Sequence, residues 1–281
     1  MRRVLLAAGV AAATLLAAGC SSAATGASGS GSGPVVLRLG FQANITHEPA
    51  LVGLAKGFFA KDLGKNVVLK TSIFSSGTEE TTAILAGQLD AAYVGPNPAI
   101  NAWQKSNGTA IKIISGAASG GASLVVKKGI TSASQLKGKS LATPSLGNTQ
   151  DVALRYWLKQ HGMATTPTGG GDVPIKPIKP NSAAVLEFTS GQIDGGWEPE
   201  PYATEMVLAG GTRLVNEASL WPGGKFVTTN LVVTQSFLKA HPSAVNGLLK
   251  GQIETNSYIM RTAPRRVPRL TRSSPSCSAR A

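Results

Sequence analysis

Cysteine is nearly absent from this chain, and that absence limits its chemistry. The 281 residues include only Cys20 and Cys277, so the long stretch between them has neither a disulfide nor a thiol nucleophile. Stability must therefore come from a hydrophobic core rather than from covalent cross-links. The three histidines, His47, His161 and His241, lie far apart, and no Cys or His cluster has metal-ligand spacing. These absences argue against a thiol enzyme and against a zinc site.

The motifs of several common enzyme classes are also missing. His47-Glu48 lacks the second histidine that a zinc-binding H-E-x-x-H helix requires. The chain has neither a phosphate-binding P-loop nor a G-x-S-x-G nucleophile elbow. Beyond the N-terminal region, no apolar run is long enough to span a bilayer. We therefore predict a protein that is not an enzyme and that needs no metal or cofactor.

The net charge of +13 raises the question of a nucleic-acid partner. Much of this charge lies at the two ends, in Arg2 and Arg3 and in six arginines of residues 261–281. Without these eight arginines the net charge falls to about +5, and the remaining lysines stand singly or in pairs. No basic stripe interleaved with aromatic residues is present. We therefore expect no nucleic-acid partner.

The N-terminus has the layout of a secretory signal peptide. Two arginines precede an apolar run, and the small residues Ala17, Ala18 and Gly19 then lead to Cys20. Small residues ahead of a cysteine resemble a bacterial lipobox, in which the thiol is acylated, although Ala17 stands where that pattern prefers leucine. An ordinary signal peptide that contains a cysteine is the alternative. We predict a leader over 1–20, lipidation at Cys20 and an extracytoplasmic protein anchored to the cell membrane.

Two further segments have little capacity to form a core. Residues 21–34 are rich in Gly, Ser and Ala, which favours a flexible tether. Residues 261–281 hold six arginines, three prolines and no acid, and they break a helical pattern that is clear as far as Tyr258. We hypothesise that a reading-frame shift near Met260 produced this tail. A genuine basic tail that binds anionic lipid is the alternative.

Between these segments, apolar strand-like runs alternate with segments of helical spacing. The predicted strands are 35–41, 67–73, 91–94, 111–114, 139–143, 175–178 and 195–197. The predicted helices are 49–59, 78–86, 97–105, 149–161 and 182–189. Strands separated by helices of about ten residues favour βα units and mostly parallel sheets. The pattern therefore predicts an α/β fold.

One motif occurs twice. The sequence GQLD at 87–90 and the sequence GQID at 191–194 each precede a short apolar run and a Pro-x-Pro. A Gly-Thr pair then precedes another apolar strand in both places, at Gly108 and at Gly211. We interpret the agreement as a structural repeat. Two similar α/β lobes would face each other across a cleft, where small ligands commonly bind.

Six motifs in this order, LRLGFQ, LAKGFF, FSSG, AGQLDAAYVGPNP, QLKGKSLATP and GGWEPEPYA, resemble the periplasmic binding proteins of the nitrate, sulfonate and taurine importer group. The similarity runs from about Val35 to Tyr258. It implies the two-lobed periplasmic-binding-protein fold of type 2, with a ligand cleft between the lobes. On that basis we place lobe one at 35–127, lobe two at 128–225 and a return segment at 226–260.

The resemblance also implies a function. A member of this group captures a small sulfonate-, nitrate- or taurine-like solute and delivers it to an ABC permease and its ATPase, and we expect it to act as a monomer. A ligand-sensing module is one alternative. Another is an enzyme on the same fold, such as the pyrimidine-synthesis proteins.

Candidate ligand-binding residues lie where loops lead into helices. Exposed N–H groups at several helix starts could hold an oxyanion without an arginine. We expect Trp197 to pack against an apolar ligand tail, with a buried Trp as the alternative. Glu198 could accept a hydrogen bond or pair with an ammonium group, which favours a zwitterion such as taurine or a neutral ligand, or else its side chain is turned away from the ligand. The predicted site residues are Gln42, Asn44, Thr46, Ser75, Ser76, Gly77, Thr78, Asn97, Gly121, Asn148, Thr149, Gln150, Trp197 and Glu198.

Overall fold

The structure, a computed structural model, describes residues 33–262. The predicted leader at 1–20, the lipidation of Cys20, nearly all of the tether and residues 263–281 of the tail lie outside the described residues. Within 33–262, no helix has both the length and the apolar character needed to cross a membrane.

The first half of the described chain alternates strands and helices as the apolar pattern predicts. Its elements are β1 (Val35–Gln42), α1 (Glu48–Ala55), α2 (Phe58–Leu63), β2 (Val67–Phe74), α3 (Gly77–Leu85), β3 (Ala91–Val94), α4 (Pro96–Lys105) and β4 (Ile111–Ser119). The single helix predicted over 49–59 is wrong, because Gly57 adopts a left-handed φ of 73° and separates α1 from α2.

The second half continues the alternation and adds strands that the sequence pattern did not indicate. Its elements are β5 (Ala122–Val126), β6 (Leu141–Thr143), α5 (Thr149–Gln160), β7 (Ile175–Pro177), α6 (Asn181–Thr189), β8 (Gly195–Pro199), α7 (Tyr202–Leu208), β9 (Thr212–Asn216), β10 (Val227–Thr234), α8 (Gln235–Ala240) and α9 (Pro242–Thr262). The strands that had not been located are β5 and β10.

These ten strands form two five-stranded sheets with equivalent orders, β2-β1-β3-β10-β4 and β7-β6-β8-β5-β9. Four strands of each sheet run in the same direction, as expected of mostly parallel sheets, but β10 and β5 run antiparallel to both of their neighbours. Both sheets are therefore mixed, with one antiparallel strand each. The reason is that the antiparallel strand of each sheet follows directly, in the chain, the edge strand of the other sheet.

The first crossover between the sheets lies earlier than expected. We expected lobe one to extend to residue 127, but β5 belongs to the second sheet, so the chain leaves the first sheet after Ser119. Gly120 and Gly121 make this crossing with φ values of 82° and 80°, in the left-handed region that favours glycine. The second crossover, 217–226, leads back to β10. Below, lobe one and lobe two are the parts built around the first and the second sheet.

The duplicated G-Q-x-D motif is confirmed as a structural repeat, because it precedes β3 and β8, the central strands of the two sheets. Asp90 Oδ2 accepts hydrogen bonds from the backbone N–H and from Nε of Arg38, each at 2.8 Å. Asp194 Oδ2 accepts one from Ser140 N at 2.9 Å, and its Oδ1 lies 3.4 Å from Lys127 Nζ. Each carboxylate thus ties its central strand to a neighbouring segment of the same lobe.

Both faces of each sheet are covered, as strands buried on two sides require. In β3, Ala91 and Tyr93 pack in one core cluster with Phe59, while Ala92 and Val94 pack in a second cluster on the other face. Because both faces of the strands are covered, the side chains on those faces cannot reach a ligand. The loops at the carboxyl ends of the strands can therefore form a binding site.

We predict that Asp90→Ala destabilises lobe one, because it removes the acceptor of a strand N–H and the carboxylate that pairs with the Arg38 guanidinium. The free energy of unfolding, measured with urea, should fall by about 2 kcal/mol. Asp62→Ala is the matched control, since its ion pair within the described residues is a loose one, with Lys61 Nζ at 3.8 Å. Equal effects of the two substitutions would show that the Asp90 contacts add no stability.

Candidate functional site

Loops from the two lobes enclose a cavity of about 320 Å³, including its open mouth. Most of these loops follow the carboxyl ends of β1, β2, β3, β6 and β8, where α/β proteins commonly bind ligands. The lining residues are Gln42, Asn44, Thr46, His47, Gly77, Gly95, Pro98, Pro144, Asn148, Thr149, Gln150, Pro199 and Thr228. The lining is polar, and it contains no lysine or arginine side chain.

Half of the predicted site residues line this cavity. They are Gln42, Asn44, Thr46, Gly77, Asn148, Thr149 and Gln150. The first four belong to lobe one and the last three to lobe two, so the structure brings both sets to one place.

The loop after β1 folds into a short 3₁₀ turn, Ile45–His47, which positions two of the lining residues. Asn44 Oδ1 accepts hydrogen bonds from Thr46 N at 3.0 Å and from Thr46 Oγ1 at 2.7 Å. Because asparagine favours the position that precedes a helical turn, this local geometry follows directly from the sequence. Both side chains are buried and fixed by these bonds.

His47 is a lining residue that sequence reasoning missed. Its side chain is 3% exposed, and burial lowers its pKa to about 3, so the ring is neutral at pH 7. Its Nδ1 lies 3.2 Å from the backbone N–H of Gln42 and accepts a hydrogen bond from it. The ring proton must then reside on Nε2, which makes His47 an uncharged N–H donor. Its position six residues after the end of a predicted strand was the only signal in the sequence.

Three helices begin at the cavity. Gly77 is the first residue of α3, Gly95 precedes α4, and Asn148 precedes α5. Asn148 caps its helix by accepting a hydrogen bond from Asp151 N at 2.9 Å. The first-turn N–H groups of a helix have no partner within that helix, and they lie at the positive end of its dipole. The cavity therefore has hydrogen-bond donors and a positive field without a cationic side chain.

Thr149 shows how closely the lobes approach. Its Oγ1 would lie 2.2 Å from a Cβ atom placed on Gly95, so only glycine permits this contact between lobe one and lobe two. The same hydroxyl is buried and has no hydrogen-bond partner among the described residues. A buried hydroxyl without a partner is unfavourable. Thr149 is thus a cavity-lining group whose hydrogen-bonding capacity is unused.

The structure contradicts the expectation that Trp197 packs against a ligand. Its side chain is fully buried in the core of lobe two beside Trp157 and Leu154, and it does not line the cavity. Its Nε1 donates a hydrogen bond to Glu217 Oε2 at 2.7 Å. Alternation along β8 directs Trp197 into the core, whereas Pro199, at the end of the same strand, reaches the cavity.

Glu198 also lies outside the cavity lining. Its carboxyl is buried, with Oε2 accepting a hydrogen bond from Asn181 Nδ2 at 2.8 Å and Oε1 unpartnered among the described residues. Burial raises the pKa of Glu198 to about 8, so the group is mostly neutral at pH 7. Of the alternatives that the sequence left open, the structure favours a Glu198 turned away from the ligand over one that pairs with an ammonium group. The side chain is a buried acid of lobe two.

Three predicted residues near the start of α3 have other roles than lining the cavity. Ser76 Oγ caps α3 by accepting a hydrogen bond from Glu79 N at 3.3 Å, and Ser75 N donates to Glu79 Oε2 at 3.2 Å. Thr78 Oγ1 lies 2.9 Å from Ser145 Oγ of lobe two. Of this loop, only Gly77 reaches the cavity, because the helix turn directs its neighbours outward.

The last two predicted residues lie beside the cavity without lining it. Asn97 is half-buried in the first turn of α4, between lining residues Gly95 and Pro98. Gly121 lies in the first crossover, and a Cβ atom there would be 3.4 Å from Thr46 Cγ2. Its carbonyl accepts a hydrogen bond from Glu200 N at 2.9 Å. Neither position needs a ligand to explain it.

We predict that Glu198 makes stability depend on pH. Its folded pKa of about 8 lies above the ordinary value of 4.5, so between these values the folded state holds more protons and stability falls as pH rises. Glu198→Gln should therefore lose less thermal stability than the unmodified protein between pH 5 and pH 8. Glu205→Gln, an exposed control, should keep the original profile. Parallel profiles for all three proteins would argue against a buried acid at this position.

We further predict that Trp197→Ala impairs the fold rather than ligand contact alone. Removing a fully buried indole should lower the free energy of unfolding by about 3–5 kcal/mol. Trp103→Ala is the control, because that side chain is 54% exposed and should cost little. Urea unfolding followed by circular dichroism compares the two. A normal unfolding midpoint for Trp197→Ala would contradict a core role for Trp197 and favour the original expectation that it contacts the ligand.

The fold and the cleft define a class, the two-lobed α/β proteins with periplasmic-binding-protein architecture. A model of the NMT1-like family matches residues 30–268, and the chain belongs to that family. It is 28% identical over 209 residues to the taurine-binding periplasmic protein of Escherichia coli (strain K12), which covers 74% of this chain and 62% of that protein. The chain thus spans about three fifths of the length of this relative.

Solved structures show the same fold. The alkanesulfonate-binding protein SsuA from Xanthomonas axonopodis pv. citri, bound to MOPS, superposes with a TM-score of 0.68 at 16% identity, over 82% of this chain and 75% of that one. The nitrate-binding protein NrtA from Synechocystis PCC 6803 superposes with a TM-score of 0.67 at 19% identity, over 80% and 62%. At such identities the likeness concerns the fold alone.

Proposed function

We propose that this chain is the solute-binding component of an ABC importer. It would capture a small sulfonate-, nitrate- or taurine-like solute outside the membrane and deliver it to a permease that works with an ATPase. The observation that carries the proposal is the cavity, at which helix starts from both lobes converge. The names of the relatives, which include taurine-binding, alkanesulfonate-binding and nitrate-binding proteins, agree with it.

The chemistry of the lining suits a compact solute with several acceptor oxygens. Helix N–H groups and neutral His47 can donate, and the Thr149 hydroxyl has no other partner among the described residues. Helix N-termini favour negative charge, so a sulfonate or a nitrate can bind without an arginine. With Glu198 outside the lining, a taurine ammonium group would have to be met by amide and hydroxyl oxygens instead.

We infer that the protein binds its solute without chemical conversion. Among the described residues there is no cysteine, and no group of three or more His, Cys, Asp or Glu side chains is placed to hold a metal. The one histidine of the lining is neutral, and its Nδ1 is engaged by a backbone N–H. That arrangement suits hydrogen bonding better than proton transfer.

We further propose how the protein is held at the cell surface. Acylation of Cys20 after removal of the leader would anchor it to the outer face of the cell membrane, and residues 21–34 would tether the folded part. The layout of residues 1–20 supports this proposal. A monomer would be sufficient, because both lobes that line the cavity come from one chain.

Calorimetric titration of the intact protein with taurine, ethanesulfonate and nitrate tests the proposed function. Thr149→Val should weaken binding about tenfold, which corresponds to roughly 1.4 kcal/mol. It should leave the melting temperature unchanged or raise it, because the lost hydroxyl has no partner in the free protein. Binding of none of the panel would remove this solute class.

Thr189→Val is the control for that experiment. Its hydroxyl is exposed and bonds to Leu186 O within lobe two. We expect this variant to bind as the unmodified protein does. A Thr149→Val variant that binds equally well would show that the hydroxyl does not contact the solute.

A further inference from the structure

A second space lies next to the cavity, on the far side of one cross-lobe contact. This outer groove has a volume of about 790 Å³ open to solvent, and its walls include Phe74, Leu146 and Lys179. The boundary between the two spaces follows the chain closely. Gly77 and Pro144 line the cavity, whereas the residues directly after them, Thr78 and Ser145, line the groove.

Two contacts join the lobes at this boundary. Thr78 Oγ1 of lobe one lies 2.9 Å from Ser145 Oγ of lobe two. Beside it, Lys179 Nζ of lobe two forms an ion pair with Glu79 of lobe one. The hydrogen bond from Lys179 lowers the pKa of the Glu79 carboxyl, which favours the charged form that this pair requires. We call these four side chains the rim.

Other cross-lobe contacts at the cleft depend on the main chain. Ile45 N donates a hydrogen bond to Glu200 O at 3.1 Å, and Tyr202 Oη donates one to Ala43 O at 3.1 Å. Each of these two contacts has a main-chain carbonyl as its acceptor, which is present whatever residue occupies that position. In the rim, both partners of each contact are side chains. The rim is therefore a part of the closure in which the sequence sets both partners.

We propose that the rim is a specificity-determining closure, which separates the cavity from the outer groove and limits how long a ligand can be. This inference rests on the proposed function. A compact solute fits inside the cavity with the rim intact. A ligand with a longer substituent has to break the hydrogen bond and the ion pair to pass between the lobes.

The outer groove would accept such a substituent once the rim is open. Phe74, Ala83 and Leu146 supply apolar surface along it. Each methylene group of an alkyl chain buried there removes further apolar surface from water, so longer chains gain more affinity. Loss of the rim should therefore change the dependence of affinity on chain length rather than abolish binding.

The first test needs no ligand. Hydrogen–deuterium exchange of the full chain compares the unmodified protein with the double variant Ser145→Ala/Lys179→Met. We expect exchange at 76–80 and at 146–151 to become several-fold faster, because the boundary between the spaces has opened. Lys137→Met is the matched control, since the loose pair between Lys137 and Asp172, at 3.8 Å, lies within lobe two. Unchanged exchange in the double variant would overturn the proposal.

The second test uses methanesulfonate, butanesulfonate and octanesulfonate as calorimetric probes. We expect the affinity of the unmodified protein to fall at least tenfold from the shortest to the longest, and the double variant to lose that preference. Equal discrimination by both proteins would refute a length limit set by the rim. If the unmodified protein binds none of the three, the sulfonate class of the proposed function fails, and the exchange experiment alone decides whether the rim closes the cavity.

Discussion

Each sheet is completed by a strand that reaches it directly from the other lobe, and the rest of the architecture depends on this exchange. Strand β10 hydrogen-bonds to both β3 and β4, and β5 hydrogen-bonds to both β8 and β9. The edge strands β4 and β9 therefore join their sheets only through the exchanged strand. The two lobes are linked by their sheets as well as by their loops, which places the cleft at a fixed position between them.

The exchange also brings the crossovers into contact with the cavity. Gly120 N of the first crossover donates a hydrogen bond to Phe226 O of the second, at 3.1 Å. Gly120 O accepts one from Thr228 Oγ1 at 2.5 Å, and Thr228 lines the cavity. A change of the angle between the lobes would therefore alter the geometry of these hydrogen bonds. A solute that touches Thr228 is thus one hydrogen bond away from the connection between the lobes.

The electrostatic character of the cleft follows from burial. Glu80 lies behind Gln42, whose Nε2 is 2.9 Å from Glu80 Oε2, and burial raises the pKa of Glu80 well above its usual range. Burial lowers the pKa of His47. His47 is therefore uncharged near pH 7, and burial favours the protonated, uncharged form of Glu80. The helix termini then supply the positive field of the cavity, whose lining includes no Asp, Glu, Lys or Arg residue.

Local patterns in the sequence were sufficient for much of this fold. The apolar alternation located β1 and β2, the G-Q-x-D repeat identified the equivalent central strands, and the capping pattern at Asn148 indicated the start of α5 at the cavity. These features depend on residues close together in the chain. The same is true of the turn capped by Asn44.

What could not be predicted depends on distant residues. The apolar run of β5 reads equally well as a continuation of lobe one, and only its pairing with β8 and β9 assigns it to lobe two. Trp197 and Pro199 stand two apart on one strand, but burial of the indole against Leu154 decides which of them reaches the cavity. No local pattern could show these outcomes, because each is a contact between elements.

The strand exchange has a further consequence for how the chain is made. Synthesis delivers the N-terminus first, and β4 at Ile111–Ser119 hydrogen-bonds to a single strand, β10. Lobe two holds all five of its strands once residue 216 has emerged, whereas lobe one keeps an open edge until residues 227–234 follow. Unpaired strand edges are prone to aggregation during folding. The lobe that is translated first is therefore the last to be completed, and it is the one exposed to misfolding while the chain is still growing.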